Sequence, residues 1–123
     1  MSTPTRPLVI KTTSGTDRPE VTNQAFTVAA AAVVAGAEVS LWLTGESAWF
    51  ALPGRADDLV LEHATPLREL LDLVLEGGTV TVCTQCAARR GIGPENVVPG
   101  VRIAGSAVFV EEALREHAQA LVY

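Results

Sequence analysis

The spacing between its short β-branched runs is what most restricts how this chain can fold. Apolar runs at Leu8 to Thr13, Glu38 to Leu43, Thr79 to Val82, Val101 to Ile103 and Ala120 to Val122 are separated by fifteen residues or more, never by a two-residue turn. Hairpins are therefore excluded, and connections of that length are crossovers that join parallel strands. Each gap also carries a helical signal. Pro19 and Glu20 open an Ala-rich stretch from about Arg18 to Ala35, with Asp17 three residues before Glu20 in a capping-box-like start. Leu67, Leu70, Leu71, Val74 and Leu75 recur at helical spacing after Thr65-Pro66 and stop at Gly77-Gly78. Thr84 to Arg90 is a short helix before Gly91, and Ser106 to about Glu116 is another. Ser47 to Leu52 suits a short helix, whereas Pro53 to Ala64 is a loop with possible local structure. The pattern predicts a three-layer α/β/α sandwich, with right-handed crossovers between the strands.

At 123 residues the chain is long enough for one core and too short for two, so a single domain over 1–123 is expected. Nine basic against fourteen acidic residues leave a net charge of −5 and no basic stripe, which argues against nucleic acid as a partner. Hydrophobic residues make up 48% and the mean hydropathy is +0.28, more apolar than a small core requires. The second half of the first helix, Val28 to Ala35, has no polar face, and this predicts buried contacts between subunits. The longest apolar or glycine run, Val28 to Ala37, is half of what a membrane-spanning helix needs. Met1 to Arg6 is polar and has neither the basic segment nor the long apolar run of a secretory signal, so a cytoplasmic location is expected.

The two cysteines, Cys83 and Cys86, are three residues apart across a strand-to-helix turn. In a reducing compartment that spacing points to redox, sulfur or metal chemistry before a structural bridge. A parallel sheet gathers the loops after Thr13, Leu43, Val82 and Ile103 on one edge, where ligand crevices form. A thiol at the start of a helix meets unpaired N–H groups that favour its thiolate, so Cys83 is the expected nucleophile, with Arg90 leaning back toward it. A zinc site is not expected, because His63 and His117 are the remaining nitrogen ligands and neither has a paired ligand spacing. His117 is expected at a helix C-terminus and His63 in an exposed loop. Trp42, Trp49 and Phe50 could line a pocket near Gly45, although core packing is the simpler role for them. Ser14-Gly15-Thr16 and Gly105-Ser106 could hold an anion but match no nucleotide-binding pattern, so no cofactor is expected.

The segment Thr79-Val80-Thr81-Val82-Cys83-Thr84-Gln85-Cys86-Ala87-Ala88-Arg89-Arg90-Gly91-Ile92 resembles the strand, cysteine and short helix of the DsrE/DsrF-like (YchN-like) sulfur-relay family. The opening strand with its Ala-rich helix, the block from Val39 to Glu46 and the closing Gly105 to Tyr123 segment follow in that family's order. The resemblance implies a five-stranded, mainly parallel sheet and assembly into a homotrimer or homohexamer. It further implies that Cys83 receives sulfur as a persulfide from a donor protein and gives it to an acceptor. Cys86 departs from many relatives, which leaves open a second role for it: resolving the persulfide, or completing a disulfide as in a thiol-disulfide oxidoreductase. A third possibility is a non-catalytic oligomeric subunit with packed cysteines.

Overall fold

The computed structural model describes residues 6–123; the polar N-terminal residues 1–5 lie outside the described residues. The elements run β1 (Pro7–Thr12), α1 (Pro19–Val34), β2 (Glu38–Leu43), two 3-10 helices (Gly45–Ala51 and Arg55–Asp58), α2 (Leu67–Gly77), β3 (Thr79–Cys83), α3 (Thr84–Arg89), β4 (Val101–Ala104), α4 (Ser106–Ala113) and β5 (Gln119–Val122). The five strands form one sheet in the order β4-β3-β2-β1-β5, and every neighbouring pair is parallel. The chain is thus an α/β fold with helices on both faces of the sheet.

The topology explains which face each helix covers. From β1 to β4 the chain steps one strand at a time in one direction, so right-handed crossovers keep α1 and α2 on the same face. The connection from β4 to β5 returns across the whole sheet in the opposite direction, which places α4 on the other face. On the α1/α2 side Ile10, Leu41, Leu43, Val80 and Val82 are fully buried against Phe26, Ala29, Leu71 and Val74. Close approach of the two helices depends on a glycine, because a Cβ at Gly77 would come within 2.3 Å of a Val33 methyl.

The α4 face is built differently. Register aligns Lys11, Trp42, Thr81 and Arg102 in one row across β1 to β4, and α4 lies over that row without a single buried residue of its own. Its hold is polar and aromatic. Phe109 packs edge-on against Trp42 at 5.4 Å between ring centroids. Glu112 accepts hydrogen bonds from Ser40 Oγ (2.5 Å), Trp42 Nε1 (3.0 Å) and Arg102 Nη2 (2.6 Å). Arg102 in turn stacks over Trp42 and donates to Thr81 Oγ1.

Four local expectations are corrected. Asp17 does not cap α1: its carboxylate accepts the Gly15 N–H at 2.8 Å, and it is the Thr22 hydroxyl that ties the first turn back to the Gly15 and Arg18 carbonyls. The last helix ends at Ala113 rather than near Glu116, because Arg115 pairs with Glu38 across the sheet edge and the chain turns through His117 at φ +67°. His117 therefore lies beyond the helix end, exposed like His63. Arg90 turns away from Cys83, as described below.

Candidate functional site

The carboxyl ends of β1, β2 and β3 meet at the sheet edge, and glycines let their exit loops touch. A Cβ at Gly45, whose φ is +53°, would stand 2.6 Å from the Thr13 carbonyl oxygen, and one at Gly15 would stand 2.9 Å from that of Glu46. Thr12, Ser14 and Ser47 close the same junction: the Ser47 hydroxyl bonds Thr12 Oγ1 at 2.8 Å and donates to the Ser14 carbonyl. With the β2 exit fixed in this way, the Gly45 N–H donates to the Cys86 sulfur at 3.2 Å.

Cys83 is the last residue of β3 and the residue that precedes α3, so its side chain stands at the crevice. Both cysteines are free and half-buried. Burial pushes the Cys83 thiol up. The backbone N–H groups of Cys86 and Gln85, the Cys86 thiol and the Lys11 charge outweigh it, and the net position lies below the ordinary thiol value. The donors act from within reach, short of a closed helix cap. Cys86, one turn into α3, packs its sulfur against the core and the Gly45 amide.

Beside Cys83 is a cavity of about 40 Å³ lined by Lys11, Trp42, Thr44, Ser106 and Phe109. Trp42 is 1% exposed and belongs to the packed interior, yet its ring is also a wall of this cavity. Phe50 is buried against Phe26, while Trp49 stands outside the cavity, between the guanidinium groups of Arg55 and Arg90. Arg90 pairs with Glu46 at 2.8 Å and donates to the Cys86 carbonyl at 3.1 Å. It clamps α3 to the first 3-10 helix instead of facing the Cys83 sulfur. A larger cleft of about 210 Å³, between the start of α2 and residues 56–61, contains neither cysteine. Cys83 and Lys11 share the smaller cavity, whose lining does not include Cys86. Among the described residues no group of three or more His, Cys, Asp or Glu is placed to hold a metal ion.

Sequence reasoning passed over Lys11, Thr44 and Phe109 and named Ser106 only as a possible anion contact; the four come from three segments, β1, the exit of β2 and α4. Only Lys11 left a local signal, as a charge inside an otherwise apolar strand.

The profile of the DsrE/DsrF-like family matches residues 8–119. The chain belongs to the DsrE/DsrF-like family. That family is generally linked to sulfur relay. Among solved structures, the YchN protein of E. coli superposes with a TM-score of 0.79 at 15% identity, over 98% of this chain and 100% of that one. A protein of unknown function from Methanobacterium thermoautotrophicum, MTH1491, gives 0.60 at 8% identity over 98% and 100% of the two chains. Another of unknown function from Bacteroides thetaiotaomicron, BT1422, gives 0.56 at 21% identity over 95% and 94%. At these identities the likeness is one of fold. No curated protein matches this DsrE/DsrF-like chain in sequence. Among its described residues no helix is long and apolar enough to cross a membrane.

Proposed function

We propose that this DsrE/DsrF-like protein, a single domain over residues 1–123, carries sulfane sulfur as a persulfide on Cys83 and passes it to a partner thiol in the cytoplasm. The observation that carries this reading is the setting of Cys83, a thiol held below its ordinary value at the crevice edge by two backbone N–H groups, a neighbouring thiol and a lysine. The Cys83 thiolate attacks the outer sulfur of a donor persulfide; that S–S bond breaks, a new S–S bond forms on Cys83, and the donor leaves as a thiolate. An acceptor thiolate then attacks the outer sulfur, takes it as its own persulfide and returns Cys83 to the thiolate. Neither step needs a metal or a cofactor, and no net oxidation occurs.

The test is transfer. Protein treated with inorganic polysulfide and desalted is expected to lose one sulfur atom to an added thiol protein, which gains it as a persulfide in intact-mass analysis. Retention of the sulfur in the presence of excess acceptor contradicts the carrier reading. One observation favours a second reading, thiol-disulfide exchange: the Cys86 thiol lies within reach of the Cys83 sulfur, so it could release a mixed disulfide.

The same proposal includes self-assembly into a homotrimer or homohexamer. Val34 on α1 is 76% exposed, and Val110 on α4, Leu114 just past its end and Val122 on β5 also show apolar surface. Light scattering at micromolar concentration is expected to give a multiple of 12.9 kDa, and Val34→Asp to shift it toward the monomer; a 12.9 kDa species for the unaltered protein contradicts assembly.

A further inference from the structure

Lys11 is the only lysine of the chain, and every other basic side chain is an arginine. It stands on β1 directly beside Trp42 on β2, facing the α4 side of the sheet. Its ammonium lies 5.4 Å from the centre of the Phe109 ring. Among the described residues it makes no ion pair, although five of the arginines do. A half-buried lysine with its ammonium set against an aromatic ring and no carboxylate partner leaves a positive charge for an incoming anion to meet. Lysine rather than arginine suits that task in a narrow space, because it offers a compact point charge where guanidinium would need a broad fork of acceptors.

The cavity that Lys11 shares with Cys83 is small, about 40 Å³. That leaves room beside the Cys83 sulfur for a further sulfur atom. Its remaining walls are the rings of Trp42 and Phe109, a soft lining suited to sulfur, with the hydroxyl-bearing residues Thr44 and Ser106 at its margin.

Resting on the persulfide reading above, we propose that Lys11 is a positioning residue whose ammonium holds the outer sulfur of a Cys83 persulfide in this cavity as the perthiolate anion. Of the other charged and titratable groups on the elements around Cys83, Arg102 is engaged with Glu112 and Glu46 with Arg90, Cys86 accepts the Gly45 amide and lies within reach of the Cys83 sulfur, and Arg89 on α3 is exposed. Glu111 on α4 is exposed.

The experiment compares unaltered protein with Lys11→Met, Lys11→Gln and Lys11→Arg, each treated with inorganic polysulfide. Iodoacetamide alkylation of the sulfur-bearing and sulfur-free species is followed separately by intact mass from acid to alkaline pH. In Lys11→Met and Lys11→Gln, sulfur is expected to load, but the pH midpoint of alkylation of the loaded species rises by roughly half to one unit, and Lys11→Arg recovers part of the shift. Loaded variants that titrate like the unaltered protein overturn the proposal. If the unaltered protein takes up no sulfur, the persulfide reading fails by itself. The unloaded Cys83 midpoint then still decides whether Lys11 faces this sulfur: it is expected to rise in both neutral variants, and no change there overturns the role of Lys11.

Discussion

With Cys86 replaced by Ser, Cys83 is expected to alkylate at neutral pH faster than an unperturbed thiol, whereas with Cys83 replaced by Ser the remaining cysteine labels at least about tenfold more slowly. The asymmetry follows from position. Cys83 lies at the strand exit with the Cys86 and Gln85 N–H groups and the Lys11 charge around its sulfur, and together these outweigh the cost of burying the anion. Each unit by which they lower the thiol corresponds to about 1.4 kcal/mol in favour of thiolate. A serine at 86 leaves the backbone donors and Lys11 in place. Cys86 differs because its sulfur is turned into the core and accepts the Gly45 N–H, so a labelling reagent reaches it poorly. Rapid labelling of Cys86 alone, or of neither thiol until the protein unfolds, would contradict the assignment of Cys83 as the nucleophile.

Removing the Glu112 carboxylate is expected to be the most damaging single change on the α4 side of the sheet. Glu112→Ala strips Ser40, Trp42 and Arg102 of a shared acceptor, and the buried Trp42 Nε1–H is left without a partner. Loss of charge-assisted hydrogen bonds at a partly exposed site predicts a cost of about 2–3 kcal/mol, and Glu112→Gln, which retains one acceptor oxygen, about half of that. The effect has a defined pH dependence. Burial raises the Glu112 pKa, but the bonds from Arg102, Ser40 and Trp42 outweigh it and the folded-state value is depressed. A depressed carboxyl contributes stability that is present above its unfolded value, about 4.3, and is lost as pH falls through the lower folded value. Urea titrations should therefore show the gap between unaltered protein and Glu112→Gln wide at neutral pH and narrowed at pH about 3. An equal gap at both pH values would mean that the carboxylate charge is not what holds α4. Because Ser106 and Phe109 of α4 wall the Cys83 cavity, Glu112→Ala should also alter Cys83 labelling.

The parallel sheet and the order of its elements were legible because period-2 and period-3.6 patterns alternate with clear stops, as at Gly36 and at Gly77-Gly78. Such signals are local. The missed cap of α1 and the misplaced end of α4 were decided by competition among local partners or by distant ones: Asp17 found the Gly15 amide before it could reach a helix N–H, and Arg115 found Glu38, 77 residues away. Cys83 and Cys86 were visible as a pair because sequence spacing and strand exit coincide. The rest of the site was not visible. Trp42, Ser40 and Glu112 are brought together from 70 or more residues apart by the return of the chain across the sheet, and no spacing rule encodes that meeting. Lys11 was readable only as an oddity. A lone charge in a strand otherwise suited to burial on both faces marks a place where one face is not closed, and here that face is the one α4 covers thinly.

The central claim is that Cys83 is the sulfur-bearing atom, and intact-mass analysis after exposure to inorganic polysulfide tests it most directly on unaltered protein, Cys83→Ser and Cys86→Ser. The account predicts a gain of one sulfur atom in the unaltered protein and in Cys86→Ser, reversed by a thiol reductant and absent in Cys83→Ser. A gain that persists in Cys83→Ser would contradict it, as would a loss of two hydrogens that requires both cysteines with no sulfur gained in any variant, the signature of a disulfide.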